Sequence, residues 1–207
     1  MSEEKNVVVT PVEHGGPPRR SRNLEERLMV RFPSLYRRQG VLLQRLLSPR
    51  SRLRRAFLRR AFVSGYTAFN RGDFKLMLVR VAPDVEVVYP PGMQTLGLGG
   101  VFRGHAGWVE SYGKLAEVWD FQELEPAYIV DLGERLPCLS FLRSHARASG
   151  VPLEQEFAQL ATAPEGLITH EQTFFSWGEG LRAAGLDPSA ITLPSREKGA
   201  QTAGSAG

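Results

Sequence analysis

Three short stretches decide how this chain folds: AFNRGDF (68–74), APDVEVVYPPG (82–92) and VFRGHAG (101–107). The first reads as a helix end followed by a Gly-Asp turn and the start of a second apolar helix. The second reads as a Pro-Asp break, a strand over Val85–Tyr89 and a strong stop at Pro90-Pro91-Gly92. The third is a turn built on Arg103-Gly104-His105. Upstream, Leu53, Phe57, Ala61, Gly65 and Phe69 recur every four residues, and Leu58 and Phe62 widen the stripe. That pattern predicts an amphipathic helix over 51–70, with Arg52, Arg55 and Arg59 on the other side. Downstream, Trp108, Tyr112, Leu115 and Trp119 are spaced for a helix over Gly107–Trp119. Strands follow at Phe121–Leu132, Leu136–Arg147, Val151–Ala161 and Leu167–Phe175, with turns at Gly133-Glu134-Arg135, Ala148-Ser149-Gly150 and Pro164-Glu165-Gly166. A short helix from Trp177 to Leu186 closes the series, ending at Gly185.

The order is helix, helix, strand, helix, then a four-strand antiparallel meander. Together with EQEFAQL (154–160), APEGLITHEQTFFSW (163–177) and GLRAAGL (180–186), it resembles the SnoaL-like branch of the nuclear transport factor two-like (NTF2-like) superfamily over about residues 55–186. The resemblance implies an α+β cone, in which a strongly curved antiparallel sheet packs against N-terminal helices around an apolar pocket. It also implies a homodimer formed through the outer face of the sheet. Relatives include ketosteroid isomerases, epoxide hydrolases and polyketide cyclases, which place carboxylates in the cone. At the matching positions this chain departs from them. Tyr89 stands where the isomerase-type base falls, and Phe157 where its acid falls. Its phenol maps near Gly65, one step from Tyr66, and Phe174, Phe175 and Ser176 occupy the region of the cyclase carboxylate. The expectation is a pocket protein for a small, mostly apolar molecule, without clear catalytic carboxylates.

Period-two alternation divides the last strand into two faces: Ile168, His170, Gln172 and Phe174 on one, Thr169, Glu171, Thr173 and Phe175 on the other. Placing the first set toward the cone brings His170 and Gln172 beside Phe157 and Gln159. His170 is then the candidate general base of a hydrolase or isomerase, with Tyr89 and Gln172 as hydrogen-bonding partners. The plainer reading is a hydrogen-bonded interior histidine. The expected pocket lining is Tyr66, Phe69, Tyr89, Trp108, Phe157, Gln159, Gln172 and Phe174. His105 is assigned to its turn, His145 to the surface and His14 to the leader. No two histidines lie four apart and no Cys/His cluster exists, so no metal is expected. The loop MQTLGLGGV (93–101) lacks the spacing and lysine of a phosphate loop, no G-x-S-x-G occurs, and no cofactor is expected.

The charge is lopsided. Residues 1–60 carry 15 Lys or Arg against 5 Asp or Glu, whereas the remainder carries 11 against 17. A basic N-terminal region thus precedes an acidic body, which argues against a nucleic-acid-binding body. The basic region serves an anionic partner, a membrane surface or nucleic acid, or folds back on the acidic body of its own or a sister chain. Folding back is favoured because Leu42, Leu43, Leu46 and Leu47 are too apolar for a solvated arm. Four regions result: a leader at 1–22, taken as disordered around Gly15-Gly16-Pro17-Pro18; a basic helical extension at 23–50, interrupted at Pro33; the cone domain at 51–186; and a flexible tail at 187–207. The single Cys138 excludes an internal disulfide, sits in an apolar context as an inert thiol, and fits a cytoplasmic location. No signal-peptide pattern or membrane-spanning run is present.

Overall fold

The computed structural model of the protein describes residues 7–12, 21–146 and 152–193. Strand β1 (Val8–Pro11) precedes helices α1 (Leu24–Arg31), α2 (Pro33–Leu46), α3 (Arg52–Asn70) and α4 (Phe74–Met77). Then come β2 (Val81–Val88), β3 (Val101–Arg103), α5 (Gly104–Val118), β4 (Trp119–Asp131), β5 (Arg135–Ala146), β6 (Pro152–Thr162), β7 (Ile168–Phe174) and α6 (Trp177–Ala183). The seven strands form one curled, unclosed sheet in the order β1-β4-β5-β6-β7-β2-β3. All neighbours are antiparallel except β2 and β7. This is the expected α+β cone. Among the described residues no helix is long and apolar enough to cross a membrane.

Local chemistry explains the boundaries. Asn23 caps α1 and Glu26 returns the bond, a full capping box. Pro33 starts α2 at a position where its missing N–H costs nothing. Asp73 caps α4. The β2 strand begins at Val81, four residues earlier than the Pro-Asp break suggests. Its pairing with β7 shifts register between Val81↔Ile168 and Glu86↔His170, so Pro83 sits where no ladder bond is required.

The leader is not wholly irregular, as was expected for residues 1–22. Val8–Pro11 pairs with β4 at the sheet edge, and Val12 is buried in the core. The β-branched run Val7-Val8-Val9-Thr10 is the local reason. The rest of the leader, the turn at Ala148-Ser149-Gly150 and the tail beyond Leu193 lie outside the described residues, as do the side chains of Trp119 and His145.

The basic extension folds back on the acidic body. Arg22 binds Asp73 through two bonds of 2.6 Å, Arg71 bridges Glu26 and Asp73, Arg37 donates to the Val79 carbonyl, and Arg45 pairs with Glu165. The apolar argument for packing holds only in part. Leu43 turns inward, whereas Leu35, Leu42 and Leu46 are exposed on the outer side of α2. At the crossing of α2 over the β6–β7 turn, Gly40 and Gly166 touch backbone to backbone. A Cβ on Gly166 (φ 76°) would sit 2.9 Å from the Gly40 carbonyl carbon.

The main fastening is Arg54, at the start of α3. Its guanidinium grips the Asp131 carboxylate bidentately at 2.7 and 2.8 Å. Its other N–H groups donate to the carbonyls of Gln44, Leu47 and Gly133. Both side chains are at most 5% exposed. Asp131 also accepts from the Gly133 amide, so one ion pair ties the end of α2, the start of α3 and the β4–β5 hairpin. The outer face of β4–β6 is covered by α6, whose Trp177 and Leu181 pack with Tyr128, Leu139 and Ala158. That helix lies so close that a Cβ on Gly180 would be 2.6 Å from the Ala158 methyl.

Two outcomes follow from these contacts. Arg54→Ala leaves a carboxylate buried without its partner and should cost about 3–5 kcal/mol in urea unfolding; a loss below about 1 kcal/mol would show that the pair fastens nothing. Asp73 is held down at about 2, chiefly by its bond to Arg22 and further by Arg71 and the Leu76 amide. Its folded value lies below the unfolded one, so its stabilisation of about 2 kcal/mol is present above about pH 4 and is lost as pH falls toward 2. Acid titration of Asp73→Asn should lack that part of the slope.

Candidate active site

Helices α2, α3 and α5 and the concave face of the sheet enclose a cavity of about 160 Å³. Its walls are apolar: Phe57, Leu58, Phe62 and Phe69 from α3, Leu43 from α2, and Leu124, Leu136 and Ile168 from the sheet. Polar side chains interrupt these walls: Gln44, Arg54 and Arg80, and a buried carboxyl with its donors. Glu171 on β7, buried to 4% exposure, faces the cavity beside Tyr66, Trp108, Tyr112 and Gln159.

These five side chains form one hydrogen-bonded chain. The Tyr112 hydroxyl donates to Glu171 Oε1 at 2.7 Å. Gln159 Nε2 donates to the same oxygen and to the Tyr112 hydroxyl, each at 2.7 Å. Trp108 Nε1 donates to Glu171 Oε2 at 3.3 Å. The Tyr66 hydroxyl donates to Gln159 Oε1 at 2.8 Å and lies 3.0 Å from Cys138 Sγ. Sequence places each donor simply. Trp108 and Tyr112 are four apart on one face of α5, and their ring centroids lie 4.3 Å apart with the planes tilted by 51°. Gln159 and Ala161 share the inward face of β6, and Ala161 pairs directly with Glu171. Tyr66 lies on the inner stripe of α3.

The electrostatics are those of a carboxyl withdrawn from water. Burial raises the Glu171 carboxyl above the ordinary glutamate range, and bonds from Tyr112, Trp108 and Gln159 offset this only partly. The phenols of Tyr66 and Tyr112 are pushed well up by burial, so both are neutral donors at physiological pH. Burial also pushes the Cys138 thiol up to about 12, which makes it an unreactive wall residue.

Of the residues expected from sequence, Tyr66, Phe69, Trp108 and Gln159 line the cavity; the others do not. His170 points away, about one third exposed, with Nδ1 3.8 Å from Glu86 across the β2–β7 ladder. Gln172 follows it on that face, and Phe174 packs outward with the α6 cluster. Phe157 is fully buried on the inner side against Tyr66, Leu124 and Phe175 but does not line the cavity. Phe157 and Phe174 therefore lie on opposite faces of the sheet, contrary to a shared position around one cavity. Tyr89 is buried edge-on to Phe102, behind the cavity wall. The structure reverses the expected facing of β7 after Ile168. That residue does line the cavity, but so does Glu171, three positions on, so strict alternation is not kept between them. Beyond that break the inward set is Glu171, Thr173 and Phe175, and the expectation of a cone without a carboxylate is overturned. Glu171 stood in the other set of the last strand, and only the choice of facing hid it. His105 serves its turn, with Nε2 3.0 Å from the Val81 carbonyl. Among the described residues no group of three or more His, Cys, Asp or Glu could hold a metal ion.

Neither a protein-family model nor a curated protein matches the sequence. Solved structures do. TerC, co-crystallised with polyporic acid, is 28% identical over 56% of this chain and 89% of its own, with a TM-score of 0.52. An NTF2-like protein of unknown function from Burkholderia pseudomallei K96243 is 27% identical over 59% of this chain and 93% of its own, with a TM-score of 0.53. The chain therefore has the NTF2-like cone fold, in agreement with the resemblance read from its sequence.

Because its folded carboxyl titrates above the unfolded one, Glu171 favours unfolding as pH rises. Unfolding free energy should decline from about pH 4 upward until Glu171 has ionised, and Glu171→Gln should remove that decline. Equal slopes in the two proteins, measured by urea unfolding across pH, would show that Glu171 is not held neutral.

Proposed function

We propose that this protein is an enzyme acting on a small, mostly apolar molecule, with Glu171 as its general acid–base. One observation carries the reading: a single carboxyl, buried and hydrogen-bonded, opens onto a cavity whose walls are otherwise mostly apolar. Desolvation strengthens a carboxylate as a proton acceptor and keeps a carboxylic acid neutral to higher pH, so the same group can accept a proton and return it. The fitting reaction class is proton transfer at a carbon or oxygen of a neutral substrate, as in isomerisation or ring closure. On substrate binding, Tyr66 would turn its one O–H from Gln159 to charge developing on a substrate oxygen, while Gln159 stays held by its bonds to Tyr112 and Glu171. That TerC was co-crystallised with polyporic acid supports a small organic occupant for a cavity of this fold.

A binding-only pocket is the second reading. It is favoured by the complete occupation of Glu171, whose oxygens already accept bonds from Tyr112, Gln159 and Trp108. Turnover decides between the two. With a substrate in hand, Glu171→Gln should lower kcat about 100-fold or more, the usual share of a general base. Tyr112→Phe should lose less, and the outward-facing His170→Gln should lose nothing. A Glu171→Gln enzyme with full kcat would end the catalytic reading.

A further inference from the structure

At the α2-covered end of the same cavity lies a cation that nothing in the acid–base reading uses. Arg80 ends the short 3-10 turn between α4 and β2 and lines the cavity. Its guanidinium carbon stands 4.8 Å from the centre of the Phe57 ring, a cation–π contact. Its Nε is sealed from solvent and has no hydrogen-bond partner. The neighbouring acid, Glu25, is engaged by Arg60. Arg54, which lines the same cavity, is different: all its donors are bonded within the protein.

A buried guanidinium donor without an acceptor is costly, and a charged one more so. The natural complement is a planar anion that takes two parallel N–H bonds, which is how arginine meets a carboxylate. The position sets the distance to the reacting group. Arg80 directly precedes Val81, which pairs with Ile168, and Glu171 lies three residues further along β7. At about 3.3 Å per residue, Glu171 lies about 10 Å along β7 from the position opposite Val81.

We infer that the cavity binds an amphiphilic acid, whose carboxylate or equally acidic enolate is held by Arg80 while its apolar body extends toward Glu171. This rests on the acid–base reading only for what happens at the far end. The charge at Arg80 would fix which end of the molecule enters and which atom meets Glu171, so Arg80 is a specificity-determining residue.

The test is a binding measurement that needs no turnover. Isothermal titration of the intact protein at pH 7.5 would compare ω-phenylalkanoates, from phenylacetate to 5-phenylpentanoate, with their primary amides, which match them in shape and lack the charge. At least one acid should bind about tenfold or more tightly than its amide, the scale of one charge-assisted pair. Arg80→Gln and Arg80→Met should each abolish that preference while leaving amide affinity and melting temperature near wild type. Arg80→Lys should keep part of it, because the point charge remains and the fork is lost. Glu171→Gln should retain the preference, so a catalytically irrelevant Glu171 would leave this inference standing. Equal affinity for acid and amide, binding of neither at millimolar concentration, or a preference that survives both Arg80→Gln and Arg80→Met would overturn it.

Discussion

The bidentate pair of Arg54 with Asp131 is the constraint on which the cavity depends. A cone-shaped sheet is open at its wide end, and its concave face carries apolar side chains that water would reach. Here α2 and α3 cross that end, and their junction is fastened to the β4–β5 hairpin by one arginine whose donors are all engaged. A buried ion pair is weak evidence for net stability, because desolvation of both charges opposes their attraction. What it supplies here is position. The guanidinium fork accepts only one arrangement of three chain segments, and that arrangement places α2 over the mouth. The backbone contact of Gly40 with Gly166 and the bond from Gln44 to the Ala163 carbonyl then become geometrically accessible.

Within the cavity, polar groups are few and placed. Most of the wall is apolar, which orders a ligand poorly and fits many shapes. The exceptions are the Glu171 network, Gln44 and the two arginines Arg54 and Arg80. Such a division is a general device of small-molecule sites: apolar surface contributes affinity, and a few placed polar groups decide orientation. The Glu171 network is rigid because each member is held by at least one other, and because the rings of Trp108 and Tyr112 are in contact. Rigidity of this kind lets a carboxyl stay buried without shedding its partners.

Much of the fold was legible in the chain. Helical spacing at Leu53, Phe57, Ala61, Gly65 and Phe69 placed α3 within a residue of its observed ends, and the turns at 133–135 and 164–166 bounded the strands. These features are local: they follow from side-chain period, caps and glycine or proline at turns, all of which act within a few residues. Two elements escaped. The strand Val8–Pro11 gains its partner only when β4 exists 120 residues later, and Val101–Arg103 is too short to carry a period.

The site was legible only in part, and the reason is specific. Tyr66, Phe69, Trp108 and Gln159 were recognised because helices and a regular strand present them with a fixed period. Glu171 and His170 are adjacent, and the sequence assigns them to opposite faces without saying which face is inside. By itself the sequence determined the pairing of faces, the apolar stripe of each helix and the excess of basic charge at the N-terminus. The pairing of β7 with β6, which sets Glu171 opposite the inward-facing Ala161, decided that the carboxylate faces the cavity and the imidazole faces out. The crossing of α2 decided that the cavity is covered, and the placement of Arg80 beside Phe57 decided where its second charge lies. No local period encodes these, because each depends on how segments distant in the chain are held against one another.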